Sequence, residues 1–191
     1  SHVVITAVAR DDLDDGGSLG FIETLNAIRS RVPGVTIETL IPDFAGQKRP
    51  LEALLKEGPD VLNHNLETVA RLQRAVRPNA GYARSLTVLA RAKTHGSVTK
   101  SGLIVGRGEN DDEVTVALGD LASVGVDIVT IGQYLRHTSA HLPVQRWVEP
   151  EIFEMWADKA RGMGIRHVEA GPLTRSSHKA AAAVRELLGT P

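Results

Sequence analysis

Six short runs of β-branched and aliphatic residues punctuate this sequence, and each stops in a cluster of hydrogen-bonding groups. Val3-Val4-Ile5 leads to Arg10-Asp11-Asp12, the run from Thr36 to Ile41 to Pro42-Asp43, and Val61-Leu62 to Asn63-His64-Asn65. Leu103-Ile104-Val105 leads to Gly106-Arg107-Gly108-Glu109, and the run from Ile128 to Ile131 to Gln133-Tyr134. The last, His167 to Ala170, leads to Gly171-Pro172 and Arg175-Ser176-Ser177. Stability alone does not require polar groups at the same end of every strand. In a parallel β/α arrangement all those ends share one face, where the active sites of such folds are built.

Between the runs lie segments of helical period. Leu19 to Arg31 spaces Phe21, Ile22, Leu25 and Ile28 along one face, and Leu51 to Glu57 is a short helix stopped by Gly58-Pro59. Glu67 to Val76 and Ala83 to Lys93 read as two more. Asn110 caps Asp111 to Ser123, whose first turn is acidic, and Pro150 opens Glu151 to Gly162. Ser176 or Ser177 is placed to cap a final helix rich in alanine, Ala180 to Ala183. The alternation predicts an α/β fold, a partial parallel (β/α) barrel missing its first βα unit, since six strands are fewer than the eight of a closed barrel. One domain is expected over 1–191, with the barrel at 1–173 and a C-terminal serine motif and helix at 174–191. The chain opens directly on a strand, so an upstream piece is expected. The edge of that strand, Val3 to Val8, and an apolar barrel interior are expected to be exposed. Arg136 to Val148 has no clear period, and loops of that length are often functional.

Composition removes several function classes. The formal net charge of −1 gives no reason to expect nucleic acid or an anionic membrane as partner. No apolar run approaches the ~18 residues of a membrane span. Ser1-His2-Val3-Val4 has neither the basic nor the long apolar region of a signal peptide, so a cytoplasmic location is expected. There are no cysteines, which excludes disulfides, thiolate zinc sites and iron–sulfur clusters ligated in the usual way.

The polar clusters admit different chemistries. Four carboxylates and two glycines in Arg10 to Gly17 suit a cation, an ammonium group or ribose hydroxyls, or form only a solvated turn before a helix. Asn65 and Glu67 can read a ligand's hydroxyls or amine. His64 is a metal ligand or base in one reading and a hydrogen-bonded structural residue in the more common one. The glycines of Gly106-Arg107-Gly108-Glu109 let a ligand approach the backbone, but the third glycine of a dinucleotide fingerprint is missing. Lys100 points into the barrel, where a cation is rarely unpaired. Gln133-Tyr134 offers contacts for a flat heterocycle, or a rim tyrosine packed on a helix.

Taken in order, these stretches resemble the lipoyl synthase family of radical S-adenosylmethionine (SAM) enzymes. The resemblance runs from Ala9-Arg10-Asp11-Asp12-Leu13 and Leu40-Ile41-Pro42-Asp43-Phe44 through His64-Asn65-Leu66-Glu67-Thr68-Val69 and Arg84-Ser85-Leu86. It continues in Thr99 to Ile104, Gly108-Glu109, Asp127 to Leu135, Gly171-Pro172-Leu173 and Arg175-Ser176-Ser177. It implies a radical SAM, TIM-barrel-like fold and sulfur insertion at C6 and C8 of a protein-bound octanoyl chain. In that family one 4Fe-4S cluster cleaves SAM to a 5′-deoxyadenosyl radical, and a second supplies sulfur. The implied partners are an octanoylated lipoyl carrier domain or glycine cleavage H protein, and an electron donor such as ferredoxin or flavodoxin. Carried over, Asn65 and Glu67 resemble SAM contacts near the ribose and amino-acid part. Arg84 and Lys100 resemble contacts to the SAM carboxylate or the substrate. Glu109, Gln133 and Tyr134 would lie by the nucleoside, and Ser176 resembles the oxygen ligand of the sulfur-donating cluster, hence a catalytic and metal-binding residue.

This sequence departs from the family in lacking both cysteine triplets, so neither 4Fe-4S cluster is expected on this chain alone, which should be inactive in isolation. It also carries His178 where a tyrosine is usual, and His137-Thr138 and Ala140-His141 where the family has Pro-Ser and paired histidines. It has Arg107 in place of the leucine of Gly-Leu-Gly-Glu. Two other readings stay open: a non-catalytic module that binds SAM or a lipoyl domain, and a cluster-free barrel lyase using His64 or Lys100.

Overall fold

Apolar side chains alternate along the strands because successive residues of a strand face opposite ways. In the computed structural model, which describes residues 1–177 and 180–189, the six runs become one parallel sheet ordered as in the sequence. The strands are β1 (His2–Thr6), β2 (Thr36–Leu40), β3 (Val61–Asn63), β4 (Val98–Val105), β5 (Ile128–Gln133) and β6 (His167–Gly171). The helices are α1 (Ser18–Arg31), α2 (Lys48–Lys56), α3 (Gln73–Val76), α4 (Tyr82–Thr94), α5 (Asp111–Ser123), α6 (Pro150–Gly162) and α7 (Ala180–Leu188). Sequential parallel neighbours joined by helices give the curved sheet of an open barrel, its polar strand ends gathered on one face.

The helices cover the outer face. Leu103, Val105, Val129, Ile131 and Val168 of the sheet pack against Leu118, Leu121, Phe153 and Trp156 of α5 and α6. On the other side Leu62 meets Phe21, Leu51, Leu54 and Val88. α5 starts where its cap predicts. The Asn110 side chain accepts from the Glu113 N–H at 2.8 Å, and the Glu113 carboxylate accepts from the Asn110 N–H at 2.9 Å. α2 begins earlier than Leu51 because Pro50 is tolerated in a first helical turn.

The inner face departs from expectation. An apolar interior was expected, but Glu38 and Lys100 point into it fully buried, their charges in contact. Near the N-terminal ends of the strands α7 lies across the inner face, with Ala183, Val184 and Leu187 on Val61, Val98 and Ile128. The His167 ring is 2.7 Å from the Glu186 carboxylate and ties α7 to β6. β1 pairs on one side only and ends at Thr6 rather than Val8. The helix expected over Glu67 to Val76 is also corrected. Glu67 pairs with Leu103 as a strand-like bridge, a single 3-10 turn follows at Ala70–Leu72, and only Gln73–Val76 is α-helical.

Candidate functional site

The chain leaves β3 and folds back onto β4. The Leu66 N–H donates to Ser101 Oγ at 3.1 Å, and the Glu67 N–H to the Gly102 carbonyl at 2.8 Å. The Ile104 N–H donates to the Glu67 carbonyl at 2.9 Å. Glu67 is thereby fixed at φ 70, a left-handed conformation that costs a non-glycine residue roughly 1–3 kcal/mol. Arg77 donates to the Asn65 carbonyl at 2.9 Å and pins the same turn. Asn65 Nδ2 donates to Glu67 Oε1 at 3.1 Å, while Asn65 Oδ1 is buried with no partner. Below it Gly102 makes room for these side chains, for a Cβ there would lie 2.8 Å from Thr130 Oγ1 and 2.9 Å from Asn65 Oδ1. An amide oxygen, a carboxylate and bare backbone thus meet at one point, suited to a ligand bearing hydroxyl or amine donors.

Along the rim, three candidates hold backbone in place. Glu109 accepts from the N–H groups of Gly106 and Arg107, fixing the Gly106–Glu109 turn. Gln133 Nε2 donates to the carbonyls of Tyr134 and Arg146, both at 3.1 Å, and its Oε1 accepts from the Val148 N–H at 3.0 Å. The Tyr134 hydroxyl donates to the Leu142 carbonyl at 3.0 Å. The long segment after β5 is therefore anchored to the strand end. Beneath it opens a cleft of about 600 Å³, and the Arg107 guanidinium covers one face of the Tyr134 ring, 4.5 Å from its centroid.

The other candidates divide. Lys100 Nζ donates to both oxygens of Glu38, each at 3.0 Å, and Asn63 Nδ2 donates to Glu38 Oε1 at 2.7 Å. Burial pushes the Glu38 carboxyl up, but His2, Lys100 and Asn63 together hold it below the usual range. Arg84 pairs with Asp43 at 3.2 Å and donates to the Asn79 carbonyl at 3.3 Å. His64 is spent on structure. Its ring lies 2.9 Å from the Ile41 carbonyl and 2.9 Å from Ser85 Oγ, and burial pushes its pKa down to about 4. In the acidic loop Arg10 pairs with Asp12, and Asp15 accepts from the N–H groups of Gly17 and Leu19, opening α1. The solvated-turn reading suffices there. Ser176 is half-buried in the turn before α7, while His178 lies outside the described residues. Sequence reasoning missed Glu38, hidden as one charge in a strand, and Thr130. It noted Arg107 only as a departure.

A family model described as the radical SAM superfamily matches residues 1–121, and the chain belongs to that superfamily. Its likeness narrows further. It is 52% identical over 186 residues to the lipoyl synthase of Pelodictyon phaeoclathratiforme, covering 97% of this chain and 63% of that protein. It is 53% identical over 182 residues to the lipoyl synthase of Chlorobaculum parvum, covering 95% and 62%. The chain is thus a lipoyl synthase homologue that spans a little under two thirds of the length of these relatives. A solved domain of pyruvate-formate lyase-activating enzyme from Bacteroides vulgatus superposes with TM-score 0.64 at 12% identity, covering 87% of this chain and 98% of that domain. That likeness shows the fold alone.

The residues fit SAM and do not fit the clusters. An unpartnered amide oxygen beside a carboxylate, over a glycine, is what ribose hydroxyls and an α-amino group require. Iron–sulfur clusters need thiolates, of which the sequence has none. Among the described residues no group of three or more His, Asp or Glu could hold a metal ion, and Ser176 supplies one oxygen. Among the same residues no helix is long and apolar enough to cross a membrane.

Proposed function

We propose that this chain is the SAM- and substrate-holding portion of a lipoyl synthase and does not carry out sulfur insertion alone. The observation that carries the reading is the polar corner formed by Asn65 and Glu67 over Gly102, with Asn65 Oδ1 left without a donor, in a lipoyl synthase homologue. Glu67 accepts hydrogen bonds from ribose hydroxyls, and Asn65 Oδ1 accepts from a hydroxyl or the ammonium. Gly102 gives the Asn65 side chain room against β4. Glu109, Gln133 and Tyr134 act as positioning residues that hold the wall beside the nucleoside. Arg84 and Lys100 act through their carboxylate partners Asp43 and Glu38 and shape the substrate side. SAM, when bound, supplies the precursor of a carbon radical; its cleavage needs a reduced cluster that no residue of this chain can ligate. An octanoylated lipoyl carrier domain or glycine cleavage H protein is the substrate, and ferredoxin or flavodoxin the electron donor.

The test is calorimetry with SAM on the 191-residue chain, paired with anaerobic iron and sulfide reconstitution. SAM is expected to bind, to weaken at least about tenfold in Glu67→Gln through loss of charge-assisted hydrogen bonds, and no cluster absorbance is expected. A 4Fe-4S cluster bound by this chain alone would overturn the reading. The absence of cysteine keeps the non-catalytic module as the second reading, for which SAM or carrier binding is the whole function.

A further inference from the structure

The cleft beneath residues 135–142 is cationic. Arg107, Arg175, His137 and His141 line it, and no carboxylate does among the described residues. Its other walls are largely apolar, with Val76, Leu135 and Leu142 prominent. At about 600 Å³ it is in the size range of small-molecule sites. Arg175 is engaged, donating to the Thr174 carbonyl at 2.6 Å. His141 is 2.8 Å from Thr138 Oγ1 and stands edge-on to the His137 ring.

Arg107 is different. Its guanidinium lies on Tyr134, but Nη1 is buried and, among the described residues, hydrogen-bonded to nothing. The carboxylates nearest in charge, Glu67 and Glu109, act on it only through space. Glu67 accepts from Asn65, and Glu109 is occupied by two backbone N–H groups. Burial holds the Arg107 pKa below its ordinary value, so the site bears the cost of a desolvated cation without a contact anion. A guanidinium fork matches a carboxylate in two parallel hydrogen bonds, and the apolar walls suit a carbon body.

We propose that this cleft binds a small organic carboxylate, its oxyanion held by Arg107 and its aliphatic body against Val76, Leu135 and Leu142. The site stands whether or not SAM binds at Asn65 and Glu67.

Calorimetric titration of the chain at low salt with hexanoate, hexanamide and inorganic phosphate tests it. Hexanoate is expected to saturate, with hexanamide at least about tenfold weaker, as loss of a charged hydrogen-bond partner dictates. Arg107→Gln is expected to bring hexanoate down to the hexanamide level with the melting temperature kept. Should that variant fail to fold, Ala140→Glu places a carboxylate in the cleft from an exposed position and is expected to repel hexanoate. Equal binding of hexanoate and hexanamide, no saturation by hexanoate, or unchanged affinity in the folded variants would overturn the proposal. Phosphate binding as tightly as hexanoate would overturn the organic assignment.

Discussion

The floor of this barrel and its rim are both polar, yet they treat charge in opposite ways. On the floor Glu38 and Lys100 meet in a fully buried ion pair, with Asn63 donating to the same carboxylate. On the rim, among the described residues, Arg107 has no contact anion and Asn65 Oδ1 no donor, and Glu67 sits in a strained conformation. Burial punishes an unpaired charge or polar atom in either place. Asn63 Oδ1 on the floor also lacks a partner, so the contrast lies in the charges: paired below, with Arg107 left without an anion above among the described residues. This contrast separates residues that hold the fold from residues that wait for a ligand.

The contrast can be broken from either side. The largest effect is expected on the floor. Lys100→Met strands a buried carboxylate and should cost about 3–5 kcal/mol in urea unfolding, most of it recovered in Lys100→Met with Glu38→Met. A smaller loss in the single variant would mean that the floor is as open as the rim. Next comes His64, one residue before Asn65 but bonded inward to Ile41 and Ser85. Its folded pKa of about 4 lies below the unfolded value of 6.5, so the unfolded state binds more protons between them. Stability is therefore full above pH 6.5 and lost as pH falls to 4, at up to about 1.4 kcal/mol per pH unit. His64→Gln should flatten that slope, and a slope retained in the variant would assign it to other groups. The smallest effect is expected on the rim. Glu67→Asn, which tolerates the left-handed conformation, should leave stability unchanged or raise it by up to about 1 kcal/mol while abolishing SAM binding. If it destabilised the fold and kept SAM, Glu67 would belong with the floor.

The strands and most helices were legible because their signals are local. Asn110 with Glu113 marks the start of α5, and the alternation of Ile128-Val129-Thr130-Ile131 marks a strand. Where tertiary contacts rule, the sequence misleads. Glu67 to Val76 has a helical period, but two hydrogen bonds to β4 draw Glu67 into a bridge. The floor pair was half legible. A lysine inside a barrel calls for a partner, yet Glu38 lies 62 residues away, and only the strand register brings them together. At the rim, the resemblance puts Gln133 and Glu109 beside the nucleoside, and the structure ties both to their own loop backbone. Whether such a side chain faces a ligand or ties down its own loop depends on the path of residues 135–149, which has no period to read.

The placement of α7 has a bearing on how the molecule is made. Val61, Val98 and Ile128 are covered by a helix that is translated after all six strands. While the nascent chain emerges, those three positions stay uncovered, and the sheet cannot reach its final packing until Ala183 and Val184 have left the ribosome. Chaperone dependence or proteolytic sensitivity during synthesis should therefore fall sharply only at the last step of elongation through α7. In this fold the last element in chain order closes the core over the starts of β3, β4 and β5.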